Sequence, residues 1–118
     1  MKAIFYTLTI TLLFFSCSKE ESNPPTSGQN TITTMGNSFV PSTLNCNVGD
    51  TIYFELGSSH NAIEVSEANY NANSSNPITN GFAFDYGESG YIVVNEAKTH
   101  YYVCTPHLPE MKARIIVE

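Results

Sequence analysis

From Thr31 onward the chain is a series of short alternations of apolar and polar residues, broken at intervals by Gly, Asn, Pro and Ser. A period of two places every second side chain on one face of a strand, so each alternation predicts a half-buried β-strand. Residues 31–35 alternate and end at Gly36-Asn37, a turn pair. Leu44, Cys46 and Val48 share one parity, which predicts that all three point inward. After the turn at Gly49-Asp50, residues 51–56 set Ile52, Phe54 and Leu56 against Thr51, Tyr53 and Glu55. Residues 91–94 and 99–104 are expected strands, with residues 95–98 as a hairpin connection. At the end of the chain, Ala113, Ile115 and Val117 oppose Lys112, Arg114, Ile116 and Glu118.

Seven or eight such strands, with no long helical period, predict an all-β protein built as an antiparallel β-sandwich. Residues 66–80 are the exception, being rich in Asn and Ser. A segment of that length within a small domain usually carries local structure or a function. Ser66-Glu67-Ala68-Asn69-Tyr70 is expected to make one helical turn with Tyr70 packed down.

The amino terminus is of another kind. Lys2 is followed by an uncharged, mostly apolar run over residues 3–15 and then by Ser16-Cys17. The run is too short to span a bilayer as a helix and fits the apolar core of a signal peptide. A small residue before a cysteine resembles the lipobox of bacterial lipoproteins, in which the cysteine is acylated; Phe14 stands where that motif usually has Leu. The alternative is an ordinary secretory signal with an incidental Cys17. Residues 1–16 are thus expected to be a leader, and residues 17–30 a lipidated cysteine followed by a flexible spacer without large apolar side chains. Ser18-Lys19-Glu20-Glu21 fits either a surface-sorting signal or a solvated linker. The folded domain is then residues 31–118, at the cell envelope and tethered to a membrane through lipid rather than a transmembrane helix.

The formal charge is −6, and loss of Lys2 with the leader would make it one unit more negative. So acidic a chain argues against nucleic acid and against an anionic membrane surface, and is compatible with a basic protein partner. Of three cysteines, Cys17 is assigned to lipid, which leaves Cys46 and Cys104. Cys46, flanked in parity by aliphatics, is expected to act as a small buried hydrophobe rather than as a ligand or disulfide partner.

The candidate chemistry lies in Cys104-Thr105-Pro106-His107-Leu108-Pro109-Glu110-Met111, with His60 far upstream in a Ser-Ser-His-Asn turn. One thiolate, two imidazoles and one thioether form the ligand set of a mononuclear electron-transfer copper site. Thiolate and thioether suit Cu(I), and imidazole tolerates both oxidation states. Cys104, His107 and Met111 can come from one loop between two strands, while His60 must be delivered by the fold. Pro106 stiffens the loop that presents His107. His100 lies at the far end of its strand and is expected to be structural; Met35 is expected in the core.

Phe39-Val40-Pro41 through Val48-Gly49-Asp50-Thr51-Ile52-Tyr53-Phe54, His60-Asn61-Ala62-Ile63, and Tyr101-Tyr102-Val103-Cys104-Thr105-Pro106-His107 together resemble a plastocyanin-type cupredoxin, related to amicyanin and pseudoazurin. The resemblance spans residues 31–118. It implies an eight-stranded Greek-key sandwich with one copper ion near one end, and a hydrogen bond from Asn61 to the loop that holds Cys104. The His-x3-Met spacing departs from the family, where plastocyanin and pseudoazurin have four intervening residues and amicyanin two. Met111 still stands at the junction with the last strand, where the axial ligand is expected.

These features imply a one-electron carrier, not an enzyme, whose redox partners dock near His107. A copper buffer or delivery module is the alternative, although such proteins favour exposed, Met- or His-rich sites. Three histidines cannot supply the second catalytic copper of a multicopper oxidase or nitrite reductase. A binuclear centre would need a second cysteine in the loop, where Thr105, Pro106 and Leu108 stand instead.

Overall fold

Where apolar and polar residues alternate, the chain forms strands. The computed structural model describes residues 30–118; the expected leader, Cys17 and the rest of the spacer to residue 29 lie outside them. Among the described residues nine strands are present: β1 Thr31–Met35, β2 Ser38–Val40, β3 Thr43–Cys46, β4 Thr51–Glu55, β5 Ala62–Val65, β6 Ala83–Phe84, β7 Ser89–Val93, β8 Thr99–Val103 and β9 Lys112–Val117. A short helix α1, Glu67–Asn71, lies between β5 and β6. Two sheets face each other, in the orders β2-β1-β4-β7 and β3-β9-β8-β5-β6.

The sandwich is as expected, but its sheets are mixed rather than antiparallel: β1 runs parallel to β4, and β3 parallel to β9. Parallel neighbours need crossover connections, and the chain supplies them by passing repeatedly from one sheet to the other. Residues 95–98 are one such passage. They link β7 in the first sheet to β8 in the second, so the expected hairpin is corrected to an inter-sheet crossover. A hairpin and a crossover of four residues look alike in sequence; the difference lies in which strand each one pairs.

The parity rule places the core. Ile32, Phe54, Tyr102, Cys104, Met111 and Ile115 have no measurable exposure, and all belong to one cluster between the sheets. Tyr102 packs edge-on against Phe39 at 4.8 Å and Phe54 at 5.6 Å. Its hydroxyl has no hydrogen-bond partner among the described residues, and burial pushes the phenol well above its usual range.

Three inward or outward assignments change. Val48 is 49 % exposed, because β3 ends at Cys46 and Val48 already belongs to the turn held by Asp50 N–H to Asn47 O and Asn47 N–H to Asp50 Oδ2. Met35 is 73 % exposed at the Gly36 turn and not in the core. Strand parity sets Val103 on the outer face, opposite to Tyr102 and Cys104, yet it is fully buried. It lies outside the main cluster with Val65, and α1 packs against β8.

Residues 66–71 form the expected helical turn. The Ser66 hydroxyl accepts the Asn69 N–H at 3.1 Å and so caps α1. The Tyr70 ring packs down on Tyr101 at 5.0 Å between centroids.

Strand direction fixes the two ends of the sandwich. β8 and β9 pair from Thr99↔Ile116 to Val103↔Lys112, so residues 104–111 cap one end and residues 95–98 lie at the other. β5 enters at the first of these ends, with Ile63 opposite Val103. His60 and Asn61, just before β5, therefore arrive beside Cys104.

Candidate metal centre

His60 Nδ1, His107 Nδ1 and Cys104 Sγ converge at the capped end. The nitrogens are 3.2 Å apart, and the sulfur is 3.8 Å from His60 Nδ1 and 3.3 Å from His107 Nδ1. Among the described residues this is the one cluster of three or more His, Cys, Asp or Glu side chains with metal-ligand spacing. Bonds of about 2.0 Å to nitrogen and about 2.3 Å to sulfur in a trigonal plane would set the donors about 3.5 Å (N to N) and about 3.7 Å (N to S) apart. The observed triangle lies within a few tenths of an ångström of that on every edge. The residues therefore fit one trigonal metal ion with little movement.

Each donor is held by backbone geometry. Cys104 follows β8, and its N–H donates to Met111 O at 2.9 Å. Residues 105–107 then form one 3-10 turn, with Pro106 in its first positions, and His107 N–H donates to Cys104 O at 3.2 Å. Met111 N–H closes the loop on His107 O at 2.9 Å. His60 is set by its own N–H to Gly57 O at 3.0 Å and by Gly87 N–H to His60 O at 3.2 Å. Gly87 has φ +68, and a Cβ there would sit 3.2 Å from Ser58 Cα, so a side chain would be strained by the backbone and crowded by the His60 turn. Thr34 Oγ1 accepts the Gly57 N–H at 2.9 Å and ties the same turn to β1.

The resemblance implied a bond from Asn61 to the cysteine loop, and the structure contains two. Asn61 Oδ1 accepts the Thr105 N–H at 2.9 Å, and Asn61 Nδ2 donates to Thr105 Oγ1 at 3.0 Å. Both the oxygen and the nitrogen of one buried amide are used on the residue after Cys104, which locks the His60 turn to the loop.

Burial divides the site. Cys104 is fully buried and His60 nearly so, whereas His107 is half-buried between exposed Pro106 and half-buried Leu108. Burial pushes the Cys104 thiol up, against the backbone N–H groups of Asn61 and His107, which pull it down. A buried thiol that is costly to ionise alone becomes a thiolate when a cation takes the proton's place.

Met111 is fully buried in the same cluster as Cys104. Cys46 is also buried, but at the other end: it pairs with Val117, six residues along β9 from Met111. At roughly 3.3 Å per residue this is about 20 Å, far beyond the Cα separation of about 4.4–6.8 Å that a disulfide permits. Both cysteines are free. His100 is not part of the cluster. Its Nδ1 lies 2.6 Å from Glu64 Oε2, while Glu64 Oε1 accepts the Phe82 N–H at 3.2 Å.

Parity did not expose Thr105, Thr34, Gly57 or Gly87. Glycines near a ligand histidine are a usable signal of close approach. Nothing in the sequence pairs Gly57 with Thr34 or Gly87 with His60.

A family model described as copper-binding proteins of the plastocyanin/azurin family matches residues 26–118. Among solved structures, amicyanin from Paracoccus versutus is 23 % identical, with 75 % of this chain and 79 % of that chain covered and a TM-score of 0.52. A pseudoazurin from a Sinorhizobium species is 18 % identical, covering 75 % and 72 % with a TM-score of 0.59. A copper-containing nitrite reductase from Thermus scotoductus is 24 % identical with a TM-score of 0.56; 75 % of this chain aligns, over only 22 % of that enzyme. No curated protein sequence matches.

Proposed function

The chain belongs to the plastocyanin/azurin family of copper-binding proteins, and from that premise we propose that it is a one-electron carrier of the cell envelope, in which His60, Cys104 and His107 would hold copper as its strong donors and Met111 would serve as the weak donor expected at the axial position. The observation that carries the reading is the preformed triangle of two Nδ1 atoms and one Sγ. A copper ion held there supplies a Cu(II)/Cu(I) couple.

What the polypeptide contributes is rigidity and access. The backbone bonds of residues 104–111 and the double bond from Asn61 hold the donors where a trigonal ion needs them. Neither oxidation state then has to rebuild the site. Buried Cys104 and His60 exclude water, and half-buried His107 leaves one imidazole edge as the point of electron entry and exit. Pro106, Leu108 and Pro109 surround that edge with apolar surface suited to a small transient interface with redox partners. A ligand set enclosed in this way favours electron traffic over delivery of the metal. The carrier would be anchored through Cys17, and among the described residues no helix is long and apolar enough to cross a membrane.

The test is optical. Addition of Cu(II) to the soluble domain should produce an intense visible thiolate-to-copper band that ascorbate bleaches and ferricyanide restores. A colourless, tightly bound copper would favour the buffer or delivery alternative. Location is tested separately: Cys17→Ala should release the protein from membranes, and retention without detectable lipid on the wild type would remove the anchor.

A further inference from the structure

The copper site does not by itself account for α1 and the residues after it. Their contacts converge on Lys112, the residue that follows Met111. The Lys112 ammonium donates to Tyr70 O at 2.9 Å and to Asn73 Oδ1 at 2.9 Å, and it sits 4.3 Å above the Tyr70 ring. Tyr70 O lies in the last turn of α1, where it also accepts the Asn73 N–H at 3.3 Å, and carbonyls at a helix C-terminus favour a cation. Three charge-assisted contacts on one flexible side chain fix its direction. The Tyr70 ring in turn rests on Tyr101 of β8.

Lys112 pairs with Val103, and these two residues form the base of the 104–111 loop. Both are held from the same side: Val103 is fully buried with α1 packed against its strand, and Lys112 is tied by its ammonium. The next rung is the Cys104 N–H to Met111 O bond, and the rung beyond it is Met111 N–H to His107 O.

We propose that α1 and Lys112 form a brace that sets the position of Met111, and through it the axial contact to copper; Lys112 is a positioning residue. This rests on the reading of Met111 as the axial donor. An axial thioether bond is long and weak, so the polypeptide, not the bond, decides its length. Within the equatorial set, Asn61 does the corresponding work for Cys104. With three residues between His107 and Met111, the brace fixes the far end of the loop from outside.

Two variants separate position from charge. Lys112→Met removes the ammonium and keeps an unbranched stem. Tyr70→Leu combined with Asn73→Ala removes the partners' ring and amide while leaving the ammonium in place. The brace predicts that amide exchange at Met111 and Cys104 quickens at least tenfold in both, in metal-free and copper-loaded domain alike. It also predicts that the relative intensities of the copper absorption bands shift the same way in both. Lys112→Arg should restore wild-type behaviour, and Lys98→Met, at the opposite end, should change neither readout. Unchanged exchange at Met111 and Cys104 in Lys112→Met would overturn the brace, whatever happens to α1. A band shift in Lys112→Met with none in the double variant would overturn it too, because charge alone would then account for the effect. Met111→Leu distinguishes the two levels: if it leaves bands and potential unaltered, the axial reading fails, and the exchange data still decide whether the brace holds the loop.

Discussion

Replacing Asn61 with alanine removes both bonds that join the His60 turn to the cysteine loop. Asn61 is 7 % exposed and gives Oδ1 to the Thr105 N–H at 2.9 Å and Nδ2 to Thr105 Oγ1 at 3.0 Å. Each bond contributes about 1 kcal/mol net, and an N–H left without a partner costs about 1–3 kcal/mol when water cannot reach it. Thr105 is half-buried, so partial rehydration places the N–H cost near the lower limit. The expected loss is about 2–3 kcal/mol for the metal-free domain, a large part of the roughly 5–15 kcal/mol that holds a typical small domain folded. Urea unfolding followed by far-ultraviolet circular dichroism gives the number directly. Thr105→Val is the matched control: it keeps the N–H to Oδ1 bond, loses the hydroxyl that accepts from Asn61 Nδ2, and should cost about 1–2 kcal/mol. Asn61→Ala should also let copper leave several times faster. A loss below about 0.5 kcal/mol with an unchanged copper spectrum would refute the lock. So would a Thr105→Val loss equal to that of Asn61→Ala, since the weight would then rest on the hydroxyl.

Cys104→Ser should abolish the intense visible band, because a hydroxyl offers no thiolate; a surviving band would place the metal elsewhere. Cys46→Ala should leave the band intact and destabilise the domain by about 1 kcal/mol or somewhat more, as a small core truncation does. The Cys46 thiol is pushed up by burial and then by the Asp50 charge. A raised acid binds its proton more tightly in the folded state, so its stabilisation is complete below the ordinary thiol range near pH 8.5 and is lost as pH rises above it. Cys46→Ala should therefore flatten the alkaline fall in stability, and an unaltered slope from pH 8 to 10 would refute that. Met111→Gln should lower the reduction potential with copper retained, because an amide oxygen favours Cu(II). The expected shift is on the order of 100 mV, read by voltammetry, at about 59 mV per tenfold change; no shift would make Met111 core filler.

The ligand loop was legible because its three residues, Cys104, His107 and Met111, lie within eight consecutive residues, where spacing along the chain limits separation in space. The inward faces of β4 and β9 were legible for a related reason: parity is a local property of an extended backbone. Val48 and Val103 show where parity stops. The strand ended at Cys46, two residues short of Val48, and Val103 was buried on the outward face of β8, the strand that α1 packs against. Residues 95–98 had the length of a hairpin, yet they cross between sheets, because pairing partners are chosen by the whole sandwich. His60 could be named from sequence, but its approach to Cys104 across 44 residues depends on β5 running beside β8 with Ile63 opposite Val103. The contacts of Lys112 with Tyr70 and Asn73 are of the same kind. Sequence by itself determined the chemistry on offer and the face each strand presents, since both follow from neighbours along the chain. Which distant groups meet, and therefore how firmly the donors are held, was decided only by tertiary packing, where closing loops of tens of residues must be repaid by contacts that no local pattern encodes.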